Sequence, residues 1–290
     1  MQRDFPLGRV EVVPAQEVVG MHESPSEALK RKADSSIGRI MRLVKELRCD
    51  AAVSAGNTGA VMAFALTTLG TISDVQRPTL AAFFPTQRGS SLVADVGANI
   101  DVRPQHLFQF GVMGAVAASY ILKKANPSVG LLNVGAEETK GTEATREAYR
   151  LFRDSELNFV GNVEGSDVFT GAADVVVCDG FVGNVMLKLS EGLGEVVADL
   201  VQEYLASESK YRLRRWFSKP VLHEFLSRMN YEEQGGGLLL GVNGSVVIGH
   251  GKSSAVAIKR AIEQAVFMAR EGIPGHIRNR FVTRLGREQQ

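Results

Sequence analysis

The 290-residue sequence predicts an α/β fold with a largely parallel sheet. Three observations carry this. Short apolar strands alternate with helices along most of the chain, the pattern of strand–helix–strand units. Residues 175–178 (Val-Val-Val-Cys) are apolar at every position, so both faces of that strand must be covered, as at the centre of a parallel sheet. The junctions from strand to helix are turns rich in Gly, Asn and Asp, lying outside the carboxyl ends of the strands, where such sheets bind ligands.

In chain order, residues 8–19 read as a strand interrupted by Pro14. Ser24-Pro25 supplies an N-cap and a proline at the first helical position, opening a short helix to about residue 33. Ser35 or Ser36 caps a helix over 37–47, whose Ile40, Leu43, Val44 and Leu47 share one face. A strand at 51–54 leads through the turn 55–59 into a helix from Ala60. A strand at 91–96 leads through the turn 97–101 to a helix from Pro104 to about residue 123. The strand 129–134 leads through 135–142 into a helix over 143–152, and 158–163 is a further strand. The strand 175–178 is followed by the turn Asp179-Gly-Phe-Val-Gly-Asn184 and a helix. A strand at 245–248 leads through Gly249-His-Gly-Lys-Ser-Ser254 into a last long helix.

One segment departs from this alternation. Leu193, Val196, Val197, Leu200, Val201, Tyr204 and Leu205 follow helical spacing, and a second stripe of Val221, Leu222, Phe225, Leu226 and Met229 follows Pro220. The expectation is a helical hairpin inserted at 190–232 into a single domain spanning residues 1–290, projecting from the α/β body. Its tip carries Lys210, Arg212, Arg214, Arg215 and Lys219 around Trp216 and Phe217, a mixture suited to an anionic membrane surface or an acidic partner protein. A solvated loop with its aromatics folded inward is the plainer alternative. The apolar stripes favour packing against a symmetry mate.

Composition excludes several function classes. A formal net charge of +1 predicts no global attraction to nucleic acid. Two well-separated cysteines, Cys49 and Cys178, suit a reducing compartment rather than a disulfide scaffold. No stretch reaches the roughly 18 consecutive apolar residues of a transmembrane helix. The first residues lack a signal peptide's apolar core, so a cytoplasmic location is expected.

The turns carry the candidate chemistry. Glycines let a ligand approach the backbone closely, and helix starts offer unpaired N–H groups to anions. Gly56, Asn57, Thr58 and Gly59 occupy one turn, Asn99 and Asp101 a second, Lys140 a third, Gly180, Gly183 and Asn184 a fourth, and His250 a fifth. In any one turn these residues can serve only to reverse the chain; together they point to a ligand site. No dinucleotide-binding or P-loop glycine pattern is present. Lys140 can neutralise a phosphate or an oxyanion, or stand as a solvated lysine before a helix. Asn184 can donate to an oxyanion or brace its turn, and His250 can exchange protons near neutral pH or merely begin a helix. Glu137, Glu138, Asp95 and Asp101 offer carboxylates, but no His/Cys cluster completes a metal site, so neither metal nor cofactor is expected.

Five segments carry a resemblance: Ser54-Ala-Gly-Asn-Thr-Gly-Ala60, Asp95-Val-Gly-Ala-Asn99, Asn133-Val-Gly-Ala-Glu-Glu-Thr-Lys-Gly141, Gly161-Asn-Val-Glu-Gly165 and Cys178-Asp-Gly-Phe-Val-Gly-Asn-Val185. In this order the chain resembles the bacterial phosphate acyltransferases of the PlsX family. The resemblance implies transfer of a fatty acyl group from acyl-(acyl carrier protein) to inorganic phosphate, giving acyl phosphate for phospholipid synthesis. It also implies a three-layer α/β/α fold akin to isocitrate and isopropylmalate dehydrogenases and to phosphotransacetylases. It further implies a homodimer that associates with the inner face of the membrane and supplies a membrane-bound glycerol-3-phosphate acyltransferase. Lys140 and Asn184 fall in the family's active-site motifs, and the hairpin corresponds to its projecting helices. The family's usual opening strand and Asp-Ala-Met-Gly-Gly-Asp turn do not occur in these 290 residues, so a chain shortened at its N-terminus relative to the family is expected.

The expected mechanism has phosphate held by turn N–H groups near Lys140. Phosphate attacks the thioester directly, since no Ser/His/Asp or Cys/His arrangement argues for an acyl-enzyme. Asn184 and turn N–H groups meet the oxyanion, and His250 is a proton carrier. Two alternatives stand beside it: a phosphotransacetylase acting on acyl-CoA, and a non-catalytic scaffold that binds acyl carrier protein at the membrane. A decarboxylating dehydrogenase would need an aspartate cluster for a metal, which the sequence does not offer.

Overall fold

Eight strands build one sheet in the computed structural model, which describes residues 10–207 and 235–288. They are β1 (Ala51–Ser54), β2 (Thr79–Thr86), β3 (Gly89–Ala94), β4 (Ser128–Leu132), β5 (Asn158–Val163), β6 (Val175–Val177), β7 (Gly237–Leu240) and β8 (Ser245–Ile248). Their order across the sheet is β1-β8-β7-β2-β3-β6-β4-β5. Neighbours β1 and β8, β3 and β6, β6 and β4, and β4 and β5 pair in parallel. The pairs β8–β7, β7–β2 and β2–β3 are antiparallel. Three successive reversals leave β1 and β8 running opposite to β3, β6, β4 and β5.

The helices are α1 (Pro25–Arg31), α2 (Ser36–Lys45), α3 (Thr58–Leu69), α4 (Pro104–Ile121), α5 (Glu143–Arg153), α6 (Gly165–Thr170), α7 (Gly180–Ser207), α8 (Ala255–Arg270) and α9 (Ile273–Glu288). They cover both faces of the sheet. On one face Leu92, Leu131, Val175, Val177 and Leu238 pack with Leu107, Phe110 and Met113 of α4 and Phe152 of α5. On the other, Ala52, Val93, Val176, Leu239 and Val246 pack with Phe64 of α3, Met41 of α2 and Val168 of α6. Successive valines of β6 therefore enter opposite cores, and all three are at most 1% exposed. Such burial stabilises by about 1.5–3 kcal/mol per side chain, so this short strand is anchored from both sides.

Several expectations need correction. Residues 10–19 form no strand; Val10, Val12 and Val18 are exposed, and the segment is tied to the α1–α2 region by a bridge from Glu17 to Ser35 and by bonds from Asp34 N to the Glu17 carboxylate (2.8 Å) and from Lys32 to the Val18 carbonyl (2.7 Å). Of its apolar residues, Val19 alone packs against the core, among the described residues, and no strand lies alongside to pair with the segment. Two strands, β2 and β7, were not anticipated, and both belong to the antiparallel part of the sheet. The last long helix is two helices, broken at Gly272, which takes φ +62°. The first arm of the expected hairpin is the far part of α7; the second arm lies outside the described residues.

Candidate functional site

The carboxyl ends of β3, β6 and β4 share one sheet edge, and three turns leave it side by side. The first is organised by Asp95, which is fully buried. Its Oδ1 accepts from the N–H groups of Leu80 (3.3 Å), Gly97 (3.0 Å) and Ala98 (2.9 Å). Its Oδ2 accepts from Asn99 N (2.7 Å) and Asn99 Nδ2 (2.8 Å). Burial pushes the Asp95 carboxyl above its usual range, and the N–H donors of Ala98, Asn99 and Gly97 pull the other way. All five contacts are donors aimed at oxygen, so the cradle is shaped for the ionised form. It has the form of an anion-binding nest whose occupant is the protein's own side chain.

Asn99 is spent in the same framework. Its Nδ2 also donates to Pro78 O (2.8 Å), and its carbonyl accepts from Gly180 N (2.7 Å) at the start of α7. The first turn of α7 is capped internally as well: Phe181 N and Val182 N donate to Asp179 Oδ1 (both 2.9 Å), and Gly183 N donates to the Asp179 carbonyl (3.0 Å). Gly180 and Gly183 were expected to make room for a ligand, but backbone fills that room. A Cβ on Gly180 would lie 2.8 Å from Asn99 N and O, and one on Gly183 would lie 2.9 Å from the Asp95 carbonyl carbon with the oxygen nearer still. These glycines let α7 rest directly on the Asp95 turn. The N–H groups of the Asp95 and Asp179 turns are thus already satisfied.

Asn184 differs. It sits on the next turn of α7, half-buried, with its amide against Gly97 (3.7 Å from a Cβ built there), and makes no side-chain hydrogen bond among the described residues. Lys140 is exposed, its stem lying over Gly135, and its ammonium has no partner among the described residues. Its loop leaves β4 and the Asn184 helix leaves β6, and these strands are neighbours in the sheet. Asp101 is exposed at the same edge, its carbonyl accepting from Arg77 (2.9 Å).

The other candidates lie at the opposite edge, because β1 and β8 run the other way. Asn57 caps α3 through Oδ1 to Ala60 N (3.0 Å), and its Nδ2 reaches the carbonyls of Gly20, Met21 and Glu23 at 3.2, 3.0 and 2.9 Å. It clamps the segment before α1 onto the sheet, with no donor left over. A Cβ on Gly59 would meet Pro25 at 2.8 Å, and one on Gly56 would meet Ile37 at 3.2 Å, so both glycines allow close packing of neighbouring helices. Thr58 is exposed at the first turn of α3. His250 is exposed, its N–H donating to Ser253 Oγ (3.1 Å). It lies near Glu191 of α7, whose carboxyl is pushed up chiefly by burial while the His250 side chain opposes the shift. Helix α7 therefore reaches both edges, starting beside Asn99 and passing His250. Arg212, Arg214, Arg215, Trp216 and Phe217 lie outside the described residues. Among the described residues no group of three or more His, Cys, Asp or Glu is placed to hold a metal ion. In particular, Asp95 has both oxygens taken by N–H donors.

Comparison with known proteins agrees with the five ordered segments. A phosphate acyltransferase of Halothermothrix orenii is 45% identical over 277 residues, covering 95% of this chain and 83% of its own length. One from Heliobacterium modesticaldum is 47% identical over 265 residues, covering 91% and 78%. The family described as fatty acid synthesis protein matches residues 1–275. The chain belongs to this phosphate acyltransferase family. The crystal structure of a phosphotransacetylase from Streptococcus pyogenes matches with a TM-score of 0.57 at 19% identity, over 85% of this chain and 70% of that one, a likeness of fold. The α/β layering read from the sequence is therefore that of the phosphotransacetylases.

Sequence reasoning missed three structural anchors within the family's segments: Asp179 as the α7 cap, and Asn133 and Asn162 under the Lys140 loop. The cap was legible, since Asp before Gly-Phe-Val-Gly at a helix start is an N-cap signal.

Proposed function

We propose that this chain transfers a fatty acyl group from acyl-(acyl carrier protein) to inorganic phosphate, releasing the carrier thiol and acyl phosphate. Membership of the phosphate acyltransferase family supports the reaction class. The observation that carries the site assignment is that Lys140 and Asn184, on segments leaving adjacent strands, keep polar heads with no partner among the described residues, while the N–H groups of the Asp95 and Asp179 turns beside Asn184 are consumed. Phosphate meets the Lys140 ammonium, which offsets its charge. A phosphate oxygen attacks the thioester carbonyl, the Asn184 amide donates to the oxygen that gains charge, and the thiolate leaves. His250 lies at the edge where β8 ends, near Glu191 of α7, and this reading gives it no step.

The same reading extends to partners. Phe181, Val185, Leu189, Leu193, Val196 and Leu200 recur at three- and four-residue spacing on α7, and each is at least half exposed. A stripe of that length suits a second copy of the chain, so a homodimer is proposed. No described helix is long and apolar enough to cross a membrane. Peripheral attachment at the inner face, through the basic tip that includes Arg212, Arg214 and Arg215, is the proposed route by which acyl phosphate reaches a membrane-bound acyltransferase.

The test is thiol release from acyl-(acyl carrier protein) in phosphate buffer, compared with acyl-CoA as donor. The carrier-protein thioester is expected to react, with Lys140→Ala and Asn184→Ala each slowed by about 10²-fold or more, the scale of a lost oxyanion donor. A chain that binds carrier protein but releases no thiol would be a scaffold instead. Preference for acyl-CoA would make it a phosphotransacetylase.

A further inference from the structure

The Lys140 loop is held by two asparagines that the reaction itself does not need. Asn133, at the end of β4, accepts from Val134 N through Oδ1 (2.8 Å) and donates through Nδ2 to the carbonyl of Lys140 (3.1 Å). One amide thus joins the two ends of the loop 134–140. Gly141 follows at φ +88°, a conformation suited to glycine, and the place a Cβ would take there is filled by the Asn133 and Thr145 side chains. Asn162, on the neighbouring strand β5, is 9% exposed and donates through Nδ2 to the carbonyl of Glu137 (2.9 Å), the midpoint of the loop. Its Oδ1 is buried without a partner among the described residues, so that one bond orients the side chain. Glu137's carbonyl also accepts from Lys140 N (3.1 Å), which couples the midpoint to the lysine's own peptide.

The N–H groups of residues 135–139 make no hydrogen bond among the described residues, unlike those of the Asp95 turn. The loop therefore has little internal bonding of its own. Its backbone is tied by Asn133 at the ends and Asn162 at the middle, while the Glu138 side chain, exposed, pairs with Arg153 of α5 (3.1 Å).

We infer that Asn133 and Asn162 are positioning residues that act through Lys140, fixing the backbone from which its ammonium meets phosphate. This rests on the reading of Lys140 as the phosphate contact. Misplacement of a reacting group by about 1 Å can cost about 10²-fold, so losses of that order are expected without loss of the fold.

The experiment uses the full chain, with acyl-(acyl carrier protein) and inorganic phosphate, on Asn133→Ala, Asn133→Asp, Asn162→Ala, Lys140→Ala and the double variant Asn133→Ala/Lys140→Ala. Asn133→Asp keeps an acceptor for Val134 N but has no donor for the Lys140 carbonyl, so it should be as slow as Asn133→Ala. Each asparagine variant is expected to lose about 10- to 100-fold in kcat/KM for phosphate. Their KM for the acyl donor should be unchanged and their melting temperatures close to wild type. The double variant should be no slower than Lys140→Ala, because two changes acting through one group are not additive. Wild-type rates in Asn133→Ala or Asn133→Asp would overturn the inference, as would losses that multiply in the double variant. Should Lys140→Ala fall below detection, the phosphate KM and melting temperature of the single variants decide. If Lys140→Ala keeps full activity, the reading of Lys140 has failed, whatever the asparagine variants do.

Discussion

Gly183→Ala is a severe test of how α7 is seated. A Cβ at this position would lie 2.9 Å from the Asp95 carbonyl carbon and 3.0 Å from Cys178 Sγ, with the carbonyl oxygen closer than either. Ordinary contact begins near 3.4 Å, so the start of the helix must retreat by half an ångström or more. No flexible side-chain end stands in the way; the obstacle is the backbone of a buried turn. Retreat strains the bonds from Gly180 N to Asn99 O (2.7 Å) and from Cys178 Sγ to Asp95 O (3.2 Å). Overpacking of this kind costs about 1–3 kcal/mol, and rigid backbone puts it at the upper end, about 3 kcal/mol. For a chain of this size that is about 6 °C or more in melting temperature. Gly192→Ala is the control on the same helix: nothing among the described residues lies within 4 Å of its Cβ, and replacing a helical glycine there should gain about 0.5–1 kcal/mol. Paired calorimetric melts should therefore separate the two variants by about 8 °C. Melting of Gly183→Ala with or above wild type would refute the close packing of α7 on the Asp95 turn.

Other outcomes follow from the same geometry. Asn57→Ala removes the α3 cap and the bonds to the carbonyls of Gly20, Met21 and Glu23, so a loss of about 2–4 kcal/mol is expected in denaturant melts, with faster proteolysis before α1. Asp174 is partly buried, which alone would raise its carboxyl, but Lys124 and the Ser128 N–H and hydroxyl more than offset this and hold it below its usual range. A depressed folded value means stability that is present above the unfolded value near about pH 4 and lost as pH falls through the folded one. Asp174→Asn should flatten the acid limb of a stability–pH curve, and an unchanged limb would rule out this contribution. Burial foremost, with the nearby charges of Asp95 and Asp179, pushes the Cys178 thiol well above its usual range. Alkylation of the native protein followed by mass spectrometry should thus mark half-buried Cys49 and leave Cys178 unmodified until the chain is unfolded.

Strands β1, β5 and β8 were legible to the residue because each is a short apolar or alternating run bounded by glycine or polar turns. β2 and β7 were not. β2 carries Pro85 within its run, and β7 begins on the last of three successive glycines, so both look like loop to any reading of local pattern. Their omission had a consequence beyond two missing strands. They carry the three antiparallel pairings that turn β8 and β1 around, so without them every turn falls on one edge of the sheet. Hence Asn57 and His250 were grouped with Asn99, Lys140 and Asn184, from which the structure separates them. Turn chemistry was also half-visible. Glycine, asparagine and aspartate show in the sequence, but not that the Asp95 carboxylate would bind the N–H groups two to four residues ahead of it, together with that of Leu80 on the neighbouring strand.

That cradle has a bearing on inhibition. A side chain tethered inside its own binding site competes at an effective concentration no dissolved anion matches, and it cannot diffuse away. Phosphate mimics therefore gain no purchase on the Asp95 turn, however well their shape copies the substrate. In the proposed reaction, selectivity between anionic ligands at this edge passes instead to the Lys140 ammonium on its loop and the Asn184 amide on α7, groups that can be altered one at a time without dismantling the sheet beneath them.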